Sequence, residues 1–148
     1  MPSRTYKVLL DSSVILSAYK SRTGGSYAII DNLSKAKNMA FITTSEAFLE
    51  VLSKSEKFET IPLIMSNWIL SKRIRVVDSM PSVDDRLLAL LTNDPDDTHL
   101  VRVARDEGVD ALLTLDKKHL LTNAVREFLN PILVLSPKEF LWLQPFRL

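Results

Sequence analysis

Apolar and polar positions along this chain follow two rhythms. Short, nearly continuous apolar runs occur at Lys7–Leu10, Ala40–Thr43, Arg75–Asp78, Ala111–Leu115 and Ile132–Leu135. Each has the usual length of a strand. Runs without strict alternation predict strands buried on both faces. Between them the apolar residues fall at helical spacing. Ser12–Lys20 and Ser26–Lys37 are predicted helices between the first two strands. Ser45 is the expected cap of a helix from Glu46 to about Lys54, with Ala47, Phe48, Val51 and Leu52 on one face. Ile61–Lys72 follows, with Pro62 in its first turn, and then Asp84–Leu91. Asp97–Glu107 carries the stripe Leu100, Val103 and Ala104, and Gly108 supplies its stop. Pro137 opens a last short helix with Phe140, Leu141 and Leu143. Alternating strands and helices predict a parallel sheet covered on both faces.

Composition narrows the class. A chain of 148 residues is expected to form one domain. With 46% hydrophobic and 25% charged residues, wholesale disorder is excluded. Cys is 0, which removes disulfides, cysteine metal sites and a thiol nucleophile. Gly is 3, which argues against glycine-rich phosphate loops. A net charge of +1 excludes a strongly basic nucleic-acid wrapper, but allows a local basic rim. The longest apolar run, Leu87–Leu91, is far short of the roughly 18 residues a spanning helix needs. Residues 1–10 hold no stretch resembling a signal peptide, so a soluble cytoplasmic protein without membrane contact is expected.

In open parallel sheets, ligands sit beyond the carboxyl ends of the strands. Acidic residues collect there. Asp11 follows the first run and Asp116 the fourth, while Asp97 opens the helix leading into the fourth. Glu46 follows the second, and Glu50 lies one turn further on. No His is expected to join them at metal spacing, and no Ser-His-Asp arrangement is visible. Each acid has an ordinary reading. Asp11 and Asp97 suit turns and caps. Asp116 could pair with Lys117 or Lys118, and Glu46 and Glu50 could share a solvated helix face. Their joint placement argues for more. Two carboxylates ~4 Å apart repel by roughly 4 kcal/mol at an effective dielectric near 20. A cluster of four would hold protons or a cation, and oxygen ligands favour Mg²⁺ or Mn²⁺. Such an ion can activate water against a phosphodiester.

These residues resemble the PIN-domain (PilT N-terminal) nuclease family. Asp11-Ser12-Ser13 looks like its first motif, and Thr44 to Phe58, with Glu50 and Lys57-Phe58, like the helix of its second acid. Asp94-Pro95-Asp96-Asp97 with Leu100, Val103 and Ala104 looks like the third motif. Thr114-Leu115-Asp116 closes a strand as the fourth motif does. The resemblance spans nearly the whole chain, 1–148. It implies a three-layer α/β/α sandwich with a short parallel sheet, and an Mg²⁺- or Mn²⁺-dependent endoribonuclease. Asp11, Glu50, Asp97 and Asp116 would be its catalytic and metal-holding acids. Ser13, Thr114, Asp94 and Glu46 would be accessory. Glu46 lies nearer the strand end, but Glu50 better fits the spacing to Lys57-Phe58, so Glu50 is assigned.

Ser13 stands where the family commonly has Asn, which leaves a weakly active or inactive RNA- or protein-binding module of the same fold as the alternative. A receiver domain or an Asp-x-Asp phosphatase needs a further acid beside Asp11, where this chain has Ser12 and Ser13. Lys20, Arg22, Lys117, Lys118 and His119 could contact an RNA backbone, although a plain surface or packing role is favoured for His119. His99 is read as a packing residue. The aromatic tail Phe140 to Phe146 and Trp68 are expected in the core, with a homodimer interface or an antitoxin groove as the functional reading. Many relatives are toxins of toxin–antitoxin pairs.

Overall fold

The computed structural model describes residues 5–21, 23–32, 38–54, 61–79, 85–92 and 97–143. Five strands alternate with helices. They are β1 (Tyr6–Leu10), β2 (Met39–Thr44), β3 (Arg75–Val77), β4 (Ala111–Leu113) and β5 (Leu133–Leu135). All pair in parallel, in the order β3-β2-β1-β4-β5. The described helices are α1 (Ser12–Lys20), α2 (Gly25–Asn32), α3 (Ser45–Ser53), α4 (Ile61–Leu70), α5 (Asp85–Thr92), α6 (Thr98–Glu107), α7 (Asn123–Leu129) and α8 (Pro137–Leu143).

Successive strand residues point to opposite faces, so β1 feeds two cores. Val8 and Leu10 pack with α1, α2 and α8 through Val14, Ile15, Ile30 and Phe140. Leu9 and Leu112 pack with α6 and α7 through Leu100, Val101, Val125 and Leu129. The architecture is therefore the expected α/β/α sandwich. Register keeps each row on one face: Leu9 lies beside Ile42 of β2 and Leu112 of β4.

The chain departs from the sequence expectation in several places. The fourth strand stops at Leu113, because the next N–H groups turn to side-chain hydroxyls: that of Leu115 goes to Ser13 Oγ and that of Asp116 to Thr114 Oγ1. Asp116 therefore sits on a turn beyond the strand. Thr44, not Ser45, caps α3, its side chain accepting from the Ala47 N–H. The Ser45 hydroxyl instead meets that of Ser79 at 3.0 Å. Helix α7 was not anticipated: it has 7 residues, and Val125 and Leu129 are its buried positions, too few for a period to register. Trp68 and Phe140 are buried as expected, but Trp142 is 85% exposed. Residues Lys57-Phe58, Asp94, Arg22 and Gln144 to Phe146 lie outside the described part.

Strand order runs outward in opposite directions from the β1–β4 pair. The crossover connections therefore diverge there, and the carboxyl ends of β1 and β4 face a crevice.

Candidate metal centre

Asp11 leaves β1 at this crevice and precedes the first turn of α1. It is 6% exposed, so its carboxylate needs donors. Side-chain hydroxyls supply them. Thr114 Oγ1 donates to Asp11 Oδ2 at 2.7 Å, and Ser13 Oγ donates to the same oxygen at 2.8 Å. Ser12 Oγ lies 3.3 Å from Asp11 Oδ1 and donates to Glu50 Oε2 at 2.9 Å. Ser12 thus ties the assigned second acid, on α3, to the first. Residue type and spacing do not mark Ser12 for this, since its partner lies 38 positions away.

The turn after β4 is built around the same hydroxyls. Thr114 Oγ1 accepts the Asp116 N–H, and Ser13 Oγ accepts the Leu115 N–H, both at 3.0 Å. Asp116 Oδ1 in turn accepts the N–H groups of Lys118 and His119, each at 3.0 Å. That Asx-type turn holds the carboxylate in place and leaves Oδ2 facing the His119 ring. Asp116 is therefore not spent on an ion pair with the adjacent lysines. Lys117 and Lys118 are exposed beside it. Lys20 ends α1, roughly 13 Å along the axis from the Asp11 end, at 1.5 Å per residue.

Asp97 stands at the N-cap position of α6 but makes no side-chain capping bond there. Its Oδ2 lies 3.7 Å from His119 Nδ1, while Asp116 Oδ2 lies 3.4 Å from the same nitrogen. One ligand atom each from Asp97, Asp116 and His119 falls within 4.8 Å of the others. Ligands across an octahedral ion at 2.0–2.1 Å stand about 4.2 Å apart, so the donor set has the span of one divalent cation. Asp11 and Glu50 form the neighbouring cluster, joined through Ser12. The expectation that no His stands at metal spacing is thus corrected: Asp97 and His119 are 22 positions apart in sequence, and only the fold juxtaposes them.

His99, expected as a packing residue, is buried. It is 6% exposed, but it does not simply pad the apolar stripe. Its Nδ1 lies 2.9 Å from Thr44 Oγ1, and its Nε2 lies 3.6 Å from Glu46 Oε2. The carboxylate favours a proton on Nε2, so Nδ1 accepts from the Thr44 hydroxyl. That hydroxyl also accepts the Ala47 N–H. Glu46 therefore faces His99, while Glu50 faces Ser12. Burial holds the His99 pKa below its ordinary 6.5, although Glu46, Asp11 and Glu50 pull it upward. Arg102 adds to the lowering.

The sign for stability follows. The unfolded chain binds a proton at His99 more readily than the folded one. Folding stability from this residue is fully present above pH 6.5 and is lost as pH falls through the lowered folded value. We expect urea midpoints to drop between pH 7.5 and 5 more steeply for the parent than for His99→Gln. Identical slopes for the two proteins would refute this.

A family model described as PIN domain matches residues 7–118. Comparison with curated protein sequences gives no match. Among solved structures, the VapBC2 crystal structure from Rickettsia felis, bound to a DNA fragment from its promoter, aligns at TM-score 0.58 and 18% identity. The alignment covers 88% of this chain and 97% of that one. PAE2754 from Pyrobaculum aerophilum aligns at TM-score 0.54 and 14% identity, covering 94% and 89%. FitAcB from Neisseria gonorrhoeae aligns at 0.51 and 16%, covering 88% and 98%. At such identities the structures show a shared fold. Because the family model spans most of the chain, from β1 past the Asp116 turn, this chain belongs to the PIN domains, a family of nucleases.

Proposed function

We propose that the chain is a divalent-metal-dependent endoribonuclease, one PIN-like domain over 1–148, and the toxin of a toxin–antitoxin pair. The observation that carries this is the convergence of Asp97 and Asp116, with His119 between them, beside the Asp11–Ser12–Glu50 cluster at the β1–β4 crevice. Asp11, Glu50, Asp97 and Asp116 are the acids assigned to metal and catalysis. Ser13 and Thr114 are positioning residues that hold Asp11 and the Asp116 turn. Glu46, and Asp94 outside the described residues, are accessory acids.

A divalent ion bound by these acids supplies a more acidic water and neutralises charge on a scissile phosphate. The protein's own part is to keep like charges close without collapse. Hydroxyls lock Asp11, backbone N–H groups lock Asp116, and Ser12 couples Glu50 to Asp11. Lys117 and Lys118 are placed to meet the RNA backbone, which gives salt-dependent, sequence-blind affinity. Ser13 makes the contacts expected of an orienting residue, which favours activity over the alternative of an inactive binding module.

The toxin assignment follows from the family resemblance, in which many relatives are toxins of toxin–antitoxin pairs, and the VapBC2 and FitAcB structures share the fold of this chain. An antitoxin and a second copy are the protein partners we assign, with the exposed Trp142 and Leu143 on α8 as a surface for either. A cytoplasmic location fits this role. Among the described residues, no helix is long and apolar enough to cross a membrane.

The test is cleavage of a single-stranded RNA by the purified chain. Mn²⁺ or Mg²⁺ should be required, and a chelator should stop the reaction. Cleavage that persists after chelation and dialysis would contradict a metal-dependent mechanism. No cleavage of any RNA, with either ion, would favour the binding module.

A further inference from the structure

We propose that His119 is a nitrogen ligand of the metal, and that it makes this site prefer Mn²⁺ over Mg²⁺. The inference rests on the nuclease reading above, and adds a residue and a selectivity to it. His119 Nδ1 lies 3.4 Å from Asp116 Oδ2 and 3.7 Å from Asp97 Oδ2. Those separations are long for a charge-assisted hydrogen bond, which closes to roughly 2.7–2.9 Å. They suit atoms arranged around a common ion. The backbone that carries the ring is held beside Asp116, since the His119 backbone N–H donates to Asp116 Oδ1. Its side chain is 20% exposed, beside Asp97 at 18% and Asp116 at 26%, so all three stand at the wall of an accessible crevice.

Donor chemistry then decides between ions. Mg²⁺ is a hard cation that keeps oxygen ligands and gives up water reluctantly. Mn²⁺ also favours oxygen and is the weakest nitrogen binder of the first-row transition ions, but as a softer ion than Mg²⁺ it accepts imidazole more readily. An imidazole added to the carboxylates therefore shifts the balance toward Mn²⁺, whereas carboxylates alone would not. The rival use of His119 is a contact to an RNA phosphate, which leaves metal preference untouched.

The experiment uses the full chain loaded with Mn²⁺, without RNA, read by pulsed EPR and by displacement with Mg²⁺. The parent should show ¹⁴N coupling to Mn²⁺, and His99→Gln should retain it. His119→Gln and His119→Ala should lose it. In both, the Mg²⁺ excess needed to displace half the Mn²⁺ should fall on the order of tenfold, the low end of what disturbing a metal site costs. Circular dichroism checks that the variants fold. Bound Mn²⁺ without nitrogen coupling in the parent, or coupling that survives in the His119 variants, would overturn the inference while leaving the nuclease reading standing. An unchanged displacement ratio would do the same. Failure of the parent to bind Mn²⁺ at all would overturn both.

Discussion

Asp11→Asn should lower metal-stimulated RNA cleavage by about 10³-fold or more, on the scale of losing a principal electrostatic contact in an active site. Asn keeps the shape of Asp but removes the charge that attracts a cation. The fold should survive. Asp11 is held by rotatable hydroxyls from Ser12, Ser13 and Thr114, and a hydroxyl can turn to accept from an amide as well as donate to an oxygen. Cleavage rates with Mn²⁺, measured beside a thermal melt, separate the two effects. A well-folded variant that cuts RNA within tenfold of the parent would remove Asp11 from the metal set.

The largest expected loss of stability comes from the central strand rather than the crevice. Leu9 is fully buried and touches the α6–α7 side of the sheet, with Leu112 and Ile42 beside it. Leu9→Ala should cost about 3 kcal/mol, from lost burial plus the cavity left behind. For a chain of this size that lowers Tm by roughly 6–12 °C. Leu49, on α3, is the control, being 62% exposed. Leu49→Ala should stay within about 0.5 kcal/mol. Comparable shifts in the two melts would mean that Leu9 is not part of a close-packed layer.

Several features of the molecule were legible in one dimension. All five strands were found within a residue or two of their bounds, because buried parallel strands read as apolar runs. Helix α6 was legible from its stripe and from Gly108, whose φ of 60° is the left-handed stop that glycine favours. Helix α7 was not, because two buried positions make no period. The cap of α3 was assigned one residue late, since Thr44 and Ser45 are both good caps and only the direction of the Thr44 side chain distinguishes them. Asp97 looked like a cap by type, yet its side chain makes no capping bond. The polar partners of the histidines were not legible. Nothing local separates a packing histidine from one facing a carboxylate, and both His99 and His119 meet acids from other parts of the chain.

The sequence alone determined the alternation of elements, the two-faced burial of the sheet and the placing of acids after strands. Those properties depend on neighbours in the chain, through side-chain period and backbone preference. Tertiary structure decided which acids meet. It seated Thr114 against Asp11 across 103 positions, coupled Ser12 to Glu50 across 38, and turned His119 between Asp97 and Asp116. Such pairings follow from strand order and register, which bring remote segments to one sheet edge, and no local rule encodes them.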